Sequence, residues 1–164
     1  MATNFHLKLN GITGESQQDT FAATLAISTW SWGVSHGGSF HEGKGGSLGG
    51  KVTGGDISIS REIDQASPTL AQYACLGKTI DSAVLTCTKD TDSAQLDYNV
   101  ITLTMVGISS YATGVEGLKV TEHFTLHFQA MKIQYFTEQD SGGKDASFDM
   151  EYNFNSGKQS SSKV

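Results

Sequence analysis

Apolar and polar residues alternate with a period of two along most of the chain, a pattern typical of β-strands. In the first strand, Phe5, Leu7 and Leu9 alternate with polar residues. The same alternation predicts further strands at about 21–34, 57–63, 79–89, 95–111, 118–137 and 148–154. The sequence therefore predicts a mainly β, mostly antiparallel domain.

The segment from Leu118 to Thr137 is much longer than a usual strand and changes phase along its length. Two apolar sets follow one another in opposite phase: Phe124, Leu126 and Phe128, then Met131, Ile133 and Tyr135. One extra residue, a β-bulge near Gln129 and Ala130, would produce this change. A strand bent in this way can serve two sheets or close a barrel.

One short α-helix is signalled between Ser67 and Gly77. Ser67 suits an N-cap, Pro68 suits the first helical position, and Gly77 stands where a C-terminal glycine is expected. Leu70, Ala71, Ala74 and Cys75 form an apolar stripe at helical spacing between them.

A glycine-rich connection interrupts the strand pattern. Ten of the 23 residues from Gly33 to Gly55 are glycine, and a loop of this length is functional or disordered in most proteins. We therefore expect one domain over residues 1–155 with an extended loop at about 36–55, followed by a flexible C-terminal tail at 156–164.

The composition excludes several function classes. A formal net charge of -6 argues against nucleic acid as the main partner. The longest apolar runs are far too short to insert in a membrane, and the segment Met1 to Asn10 lacks the continuous apolar stretch of a signal peptide. Without such a signal, Cys75 and Cys87 are expected to be reduced.

Two glycine motifs in the loop resemble functional signatures. Gly45 to Lys51 fits the phosphate-binding pattern G-x-x-x-x-G-K, but Val52 follows where Ser or Thr would bind magnesium. Gly45 to Gly49 fits the G-x-S-x-G nucleophile motif around Ser47, but no helix follows directly. A hydrolase using Ser47 is a minor hypothesis, and both matches are expected by chance in such a segment.

The histidines do not predict a metal site. His123 and His127 are four residues apart, which on a strand places them roughly 13 Å apart. His36 and His41 lie in the glycine loop near Glu42. We expect no metal, cofactor or catalytic acid/base pair.

Trp30 and Trp32 are two residues apart on a strand and therefore share a face. Such a pair commonly packs in a core or an interface, and less often forms a platform that stacks on sugars. A β-sandwich carbohydrate-binding module using these two rings is the alternative hypothesis.

Several motifs, taken in order and spacing, closely resemble the Hcp (haemolysin-coregulated protein) family of type VI secretion system tube subunits. The resemblance covers residues 5 to about 137. It rests on 14–16, 29–35, 50–52, 56–64, 66–70, 75–78, 83–86, 101–103, 109–110 and 121–128. The chain departs from the family at Phe148 to Tyr152, where a Gly-Trp pair is usual, and in the shorter loop Thr113 to Lys119.

The resemblance implies a compact antiparallel β-barrel of two packed sheets with one short helix. Six copies would form a ring, and rings would stack into the inner tube, with a spike protein at its tip and a contractile sheath around it. Small effector proteins would travel in the lumen, stabilised by the subunit. The tube would assemble in the bacterial cytoplasm and be exported without a signal peptide. No enzyme activity is implied.

Two sets of residues are predicted to serve this assembly. The ring-stacking or subunit-interface loop comprises Gly43, Lys44, Gly45, Gly46, Ser47, Leu48, Gly49 and Gly50. Family position suggests that the lumen and its cargo are contacted by Ser109, Ser110, Tyr111 and Thr113.

Overall fold

Strands account for most of the computed structural model, which describes residues 3–38, 50–92 and 94–160. The strands are β1 Thr3–Leu9, β2 Leu25–Ile27, β3 Thr29–Ser31, β4 Val34–His36, β5 Val52–Gly54, β6 Ile57–Glu62, β7 Thr79–Asp90, β8 Gln95–Glu116, β9 Lys119–Glu138, β10 Lys144–Asn153 and β11 Lys158–Ser160. The α-helix α1 spans Ser67–Leu76, and a 3-10 turn spans Asp19–Phe21. The predicted mainly β fold with one short α-helix is confirmed for this part of the chain.

The long hairpin β8–β9 is the centre of an antiparallel sheet of nine strands. The strand order is β2-β1-β7-β8-β9-β10-β11. On the side away from β8, β9 pairs first with β6, from Thr121 to Leu126, and then with β10, from Ala130 to Glu138. Strand β6 in turn pairs with β3, whereas β4 and β5 form a separate two-stranded sheet. Strand β9 therefore joins two arms of the sheet, one that continues through β6 and β3 and one that continues through β10 and β11.

The strand pairing does not close into the barrel that was predicted. Strand β2 pairs with β1, whereas β3 pairs with β6, and Ser28 separates the two strands along the chain. The single long strand predicted from Phe21 to Val34 is therefore divided. Phe21 belongs to the 3-10 turn, and Ala23 has a left-handed φ of 61°, which no regular strand adopts.

The predicted change of phase in β9 is present, but its cause differs from the predicted bulge at Gln129 and Ala130. Thr104 pairs with Ala130 and Val106 pairs with Phe128, so both strands pass this point with the same number of residues. Met105 has a left-handed φ of 53°, and both strands change which side chains are buried at this point, which we call the kink. The extra residue of this hairpin lies between Ile108 and Ser110 instead.

One apolar core serves both arms of the sheet, because the kink turns a different set of side chains inward on each side of it. Ile101 and Leu103 are buried before the kink in β8, and Val106 and Ile108 after it. Leu70 of α1 belongs to the same core. No helix in the described ranges is long and apolar enough to cross a membrane; α1 has ten residues.

The N-terminus of α1 is capped differently from the prediction. The N-cap residue is Ala66, rather than Ser67, and no side chain caps the helix; Asp64 Oδ1 accepts a hydrogen bond from the backbone N–H of Ala66 at 2.8 Å in the turn before it. Ser67 lies in the first turn, and its Oγ accepts from the N–H of Asp64 at 3.0 Å. At the other end Gly77 ends the helix with a φ of 60°, as predicted.

A buried charged network joins α1 to the sheet. Arg61 of β6 and Glu122 of β9 are 3% and 0% exposed, and Arg61 Nη1 donates to Glu122 Oε1 at 2.8 Å. Arg61 Nη2 forms a second ion pair with Asp64, and Arg61 Nε donates to the carbonyl of Ala26. Each charge is thus paired and hydrogen-bonded, the condition under which burial of charge is tolerated.

We predict that Glu122→Gln lowers the free energy of unfolding by about 3 kcal/mol, because Arg61 would keep its burial and lose a full countercharge. Glu62→Gln is the matched control, since Glu62 pairs with Lys119 at the surface and such pairs contribute under about 1 kcal/mol. Urea unfolding followed by circular dichroism measures both. Equal losses in the two variants would contradict the importance of the buried network.

Candidate assembly surfaces

Strands β6, β8 and β9 share an outward face between the kink and the tip of the β8–β9 hairpin. This face carries hydroxyl and imidazole side chains, and we call it the polar face. Its members are Ser58, Ser60, Ser109, Ser110, His123, Thr125 and His127. They face outward because their neighbours in these strands, such as Ile57, Ile59 and Phe124, point into the core. Two of the predicted lumen residues, Ser109 and Ser110, lie on this face.

The hydroxyl groups of the polar face form a directed chain that ends on Asp56. Ser109 Oγ donates to Asp56 Oδ2 at 2.5 Å, so its contact of 2.6 Å with Thr125 Oγ1 must be donated by Thr125. Ser110 Oγ, 2.6 Å from the same Thr125 oxygen, must then donate to it. The outermost hydroxyl, that of Ser110, therefore keeps its lone pairs available to an approaching molecule.

The two histidines of β9 have separate partners. His127 Nδ1 lies 2.8 Å from Asp56 Oδ1, which fixes the proton on Nδ1 because a carboxylate only accepts. His123 Nδ1 lies 2.6 Å from Ser60 Oγ, and its Nε2 lies 3.5 Å from Glu116 Oε1. Nowhere in residues 3–38, 50–92 and 94–160 do three potential ligands come close enough to hold a metal ion.

Tyr111 is placed differently from its predicted lumen neighbours. After the extra residue at Ser109, its ring packs against the core, and its hydroxyl donates to Glu122 Oε2 at 2.6 Å. Burial, followed by the hydrogen bond to this carboxylate, raises the pKa of Tyr111 to about 12. Thr113, two residues further along, is exposed, and its Oγ1 donates to the carbonyl of Thr121 at 3.0 Å.

The two tryptophans do not form an open platform for a sugar. Both rings are partly buried and pack against the core. The indole N–H of Trp32 donates to the carbonyl of Gly55 at 2.9 Å, and its ring meets Phe154 edge to face. These contacts favour the packing interpretation over the carbohydrate-binding alternative.

Strands β4 and β5 form the base of the glycine-rich loop. Val34 pairs with Gly54 and His36 pairs with Val52, and the N–H of Gly37 donates to the carbonyl of Lys51 at 3.1 Å. Of the predicted loop set, Gly50 is described and exposed. Residues 43–49, and with them the hydrolase candidate Ser47 and most of the G-x-x-x-x-G-K match, lie outside the described residues.

Exposed apolar side chains occur at both ends of the β8–β9 hairpin. At its tip, Leu118 is fully exposed, and Val115 and Val120 are 70% and 43% exposed. At the opposite end, Tyr135 of β9 and Phe148 of β10 pair across the two strands and are 47% and 42% exposed. Contiguous apolar groups of this kind mark candidate interfaces.

Comparison with known proteins identifies the family. The sequence model of the family described as "Type VI secretion system effector, Hcp" matches residues 6–135. The chain belongs to the Hcp family. It is also 36% identical over 147 residues to protein hcp1 of Pseudomonas aeruginosa, with 88% of this chain and 90% of that protein covered.

Solved structures show the same fold. The Hcp chain superposes on the crystal structure of Hcp1 from Salmonella typhimurium with a TM-score of 0.77 and 26% identity, covering 98% of this chain and 100% of the other. A structure of a type six secretion system protein gives a TM-score of 0.88 at 20% identity, with 97% and 100% covered. The resemblance inferred from the sequence motifs is confirmed.

The residues that carried the Hcp resemblance are brought together in space. The segment 14–16 reaches the helix cap, where the N–H of Glu15 donates to Asp64 Oδ2 at 3.2 Å. Arg61 and Glu122, from two other motifs, form the buried pair described above. The cluster of Asp56, Ser109 and His127 was missed, because 53 and 71 residues separate its partners and no local pattern links them.

The Hcp chain should lose stability at high pH through Tyr111. Its folded pKa is raised above the unfolded value, so its stabilising contribution is complete below pH 10 and is lost between about pH 10 and 12. Tyr111→Phe should flatten this loss and cost roughly 1 kcal/mol at pH 8, where the bond to Glu122 is removed. Urea unfolding at pH 8 and pH 11 measures both effects.

Tyr73→Phe is the control for this titration, since Tyr73 lies on α1, is partly buried and has no bond to Glu122. A parent protein and a Tyr111→Phe variant with the same dependence on pH would contradict the assignment.

Proposed function

We propose that this protein is the structural subunit of the type VI secretion inner tube. Six copies close into a ring, and rings stack into a tube that is exported and carries small effector proteins in its lumen. Family membership supports the role in type VI secretion. The observation that carries the proposal is the long β8–β9 hairpin, which has a face of hydroxyl and imidazole side chains and exposed apolar groups at both ends.

A closed ring requires a heterologous interface, in which one patch of each copy meets a different patch of the next. We assign the tip around Leu118 as the first patch and the region of Tyr135 and Phe148 as the second. The two lie at opposite ends of the same hairpin, so a head-to-tail contact can propagate around an annulus. These apolar side chains are exposed in a single copy. Their burial in a ring contact would contribute favourable free energy to assembly.

The polar face suits a channel that cargo must both enter and leave. Ser109 and Ser110 on this face, and Thr113 further along β8, present hydroxyl groups, which hydrogen-bond to water and to a passing protein with little difference in free energy. Tyr111 contributes through Glu122 beneath this face, rather than by direct contact with cargo.

The glycine-rich loop, Gly43 to Gly50, is proposed to contact the adjacent ring. Its base is a two-stranded hairpin, β4–β5, that is separate from the nine-stranded sheet. Ordering a loop costs conformational entropy. Contacts with the adjacent ring would offset that cost.

The remaining partners follow from the same role. A spike protein would lie at the tube tip, a contractile sheath would surround the tube, and effectors would be stabilised in the lumen. Assembly would take place in the bacterial cytoplasm, with export through the secretion system and without a signal peptide. We propose no catalytic activity for the subunit.

Pure protein is expected to form annular particles with a central hole in negative-stain electron microscopy, with a solution mass of six copies by light scattering. A strict monomer at high concentration would contradict the proposal.

Leu118→Asp should shift the equilibrium between ring and monomer toward the monomer, because it places a charge in the proposed ring contact. Leu76→Asp is the matched control, since Leu76 of α1 is also exposed, at 67%, but belongs to neither patch. Rings that persist in Leu118→Asp and are lost in Leu76→Asp would reject the assigned interface.

A further inference from the structure

Four aromatic rings meet where the C-terminal hairpin approaches the glycine-rich loop, and we call them the aromatic clamp. Phe154 is central: its ring centroid lies 4.8 Å from that of Tyr152, 5.7 Å from Phe128 and 6.4 Å from Trp32. All three contacts are edge to face, the arrangement that aromatic quadrupoles favour. The clamp therefore joins residues from three separate parts of the chain.

The clamp contacts the chain on both sides of the loop base, before the outgoing strand β4 and in the returning strand β5. On the returning arm, a Cβ added to Gly54 would lie 2.5 Å from Phe154 Cε1, so the ring packs directly on the bare backbone. Trp32 precedes the outgoing arm, and its indole N–H donates to the carbonyl of Gly55. The N–H of Gly55 donates in turn to the carbonyl of Gly33 at 2.9 Å, which ties the two arms together.

The clamp is also hydrogen-bonded to strand β9 of the sheet. The backbone N–H of Phe154 donates to the carbonyl of Gln129 at 2.9 Å, at the kink of β9. Asn153 forms the last pair of β10 with Ala130, and its side-chain oxygen accepts from the N–H groups of Asn155 and Ser156. Phe154 is thus fixed by the kink and has little freedom to leave the loop base.

We propose that Phe154 is a positioning residue for the β4–β5 hairpin at the base of the glycine-rich loop: its ring, packed on Gly54 and Trp32, holds this hairpin in place and closed. This inference rests on the proposed function only for its consequence in ring stacking. The segment that follows β10 thereby takes part in holding the loop base.

The first experiment compares two glycine substitutions at the loop base. Gly54→Ala places a methyl group against Phe154, whereas Gly33→Ala on the opposite arm meets no atom within 4 Å. Neither glycine has a left-handed φ, so alanine causes no backbone strain at either position. The measurement is the rate of tryptic cleavage after Lys51, whose carbonyl is bonded to Gly37 and becomes accessible when the hairpin opens.

Gly54→Ala should raise this cleavage rate roughly tenfold, and Gly33→Ala should leave it unchanged. Phe154→Ala should give the same increase, with Phe136→Ala as the control aromatic at the far end of β9. Adding Gly54→Ala to Phe154→Ala should have no further effect, because the ring that the methyl group meets is gone. The ring mass and the midpoint of urea unfolding should change little in the Gly54→Ala variant.

Equal cleavage rates in Gly54→Ala and Gly33→Ala, or fully additive effects in the double variant, would overturn the positioning role of Phe154. Stacking is measured separately, by cross-linking of cysteines introduced at the ring faces, in Gly54→Ala and in a deletion of residues 43–50. If the deletion leaves stacking intact, the loop loses its proposed role while the clamp is still judged by the cleavage rates.

Discussion

The fold depends on one constraint: a single hairpin, β8–β9, must keep an apolar face toward the core on both sides of a bend. Side chains alternate along a strand, so a bend alone would leave one half of the hairpin with polar groups inward. The left-handed Met105, opposite Gln129, resolves this by changing the phase of both strands together. Strand β9 can then pair with β6 on one side of the kink and with β10 on the other.

The same bend determines what is left for assembly. Beyond the kink, the charges needed to fix α1 and β6 are neutralised inside the protein, in the pairs that Arg61 forms with Glu122 and Asp64. On the outward face of these strands, Ser110, Thr125 and Ser109 form the hydroxyl chain that ends on Asp56. At the kink itself, the carbonyl of Gln129 accepts from Phe154, which brings the C-terminal hairpin to the base of the glycine-rich loop. Core packing, the polar face and the base of the glycine-rich loop are linked through one strand.

Much of the fold could be predicted from the sequence, because alternation and end signals are local. The helix end at Gly77 and the phase change after Phe128 are of this kind. The barrel prediction failed at Ser28, since the division of one apolar run between two partner strands depends on pairing with β1 and β6. The aspartate-centred cluster on the polar face could not be predicted either, because Asp56, Ser109 and His127 come from three strands or strand ends and meet only in the folded sheet.

Native-state hydrogen exchange of the amides that pair β8 with β9 tests the central claim most directly. If the kinked hairpin is one cooperative unit, Leu103 and Met131 on one side of the kink and Ile108 and Leu126 on the other should exchange slowly with the same opening free energy. Opening free energies that differ by more than about 2 kcal/mol across Met105 would show two independent units, and would contradict the account.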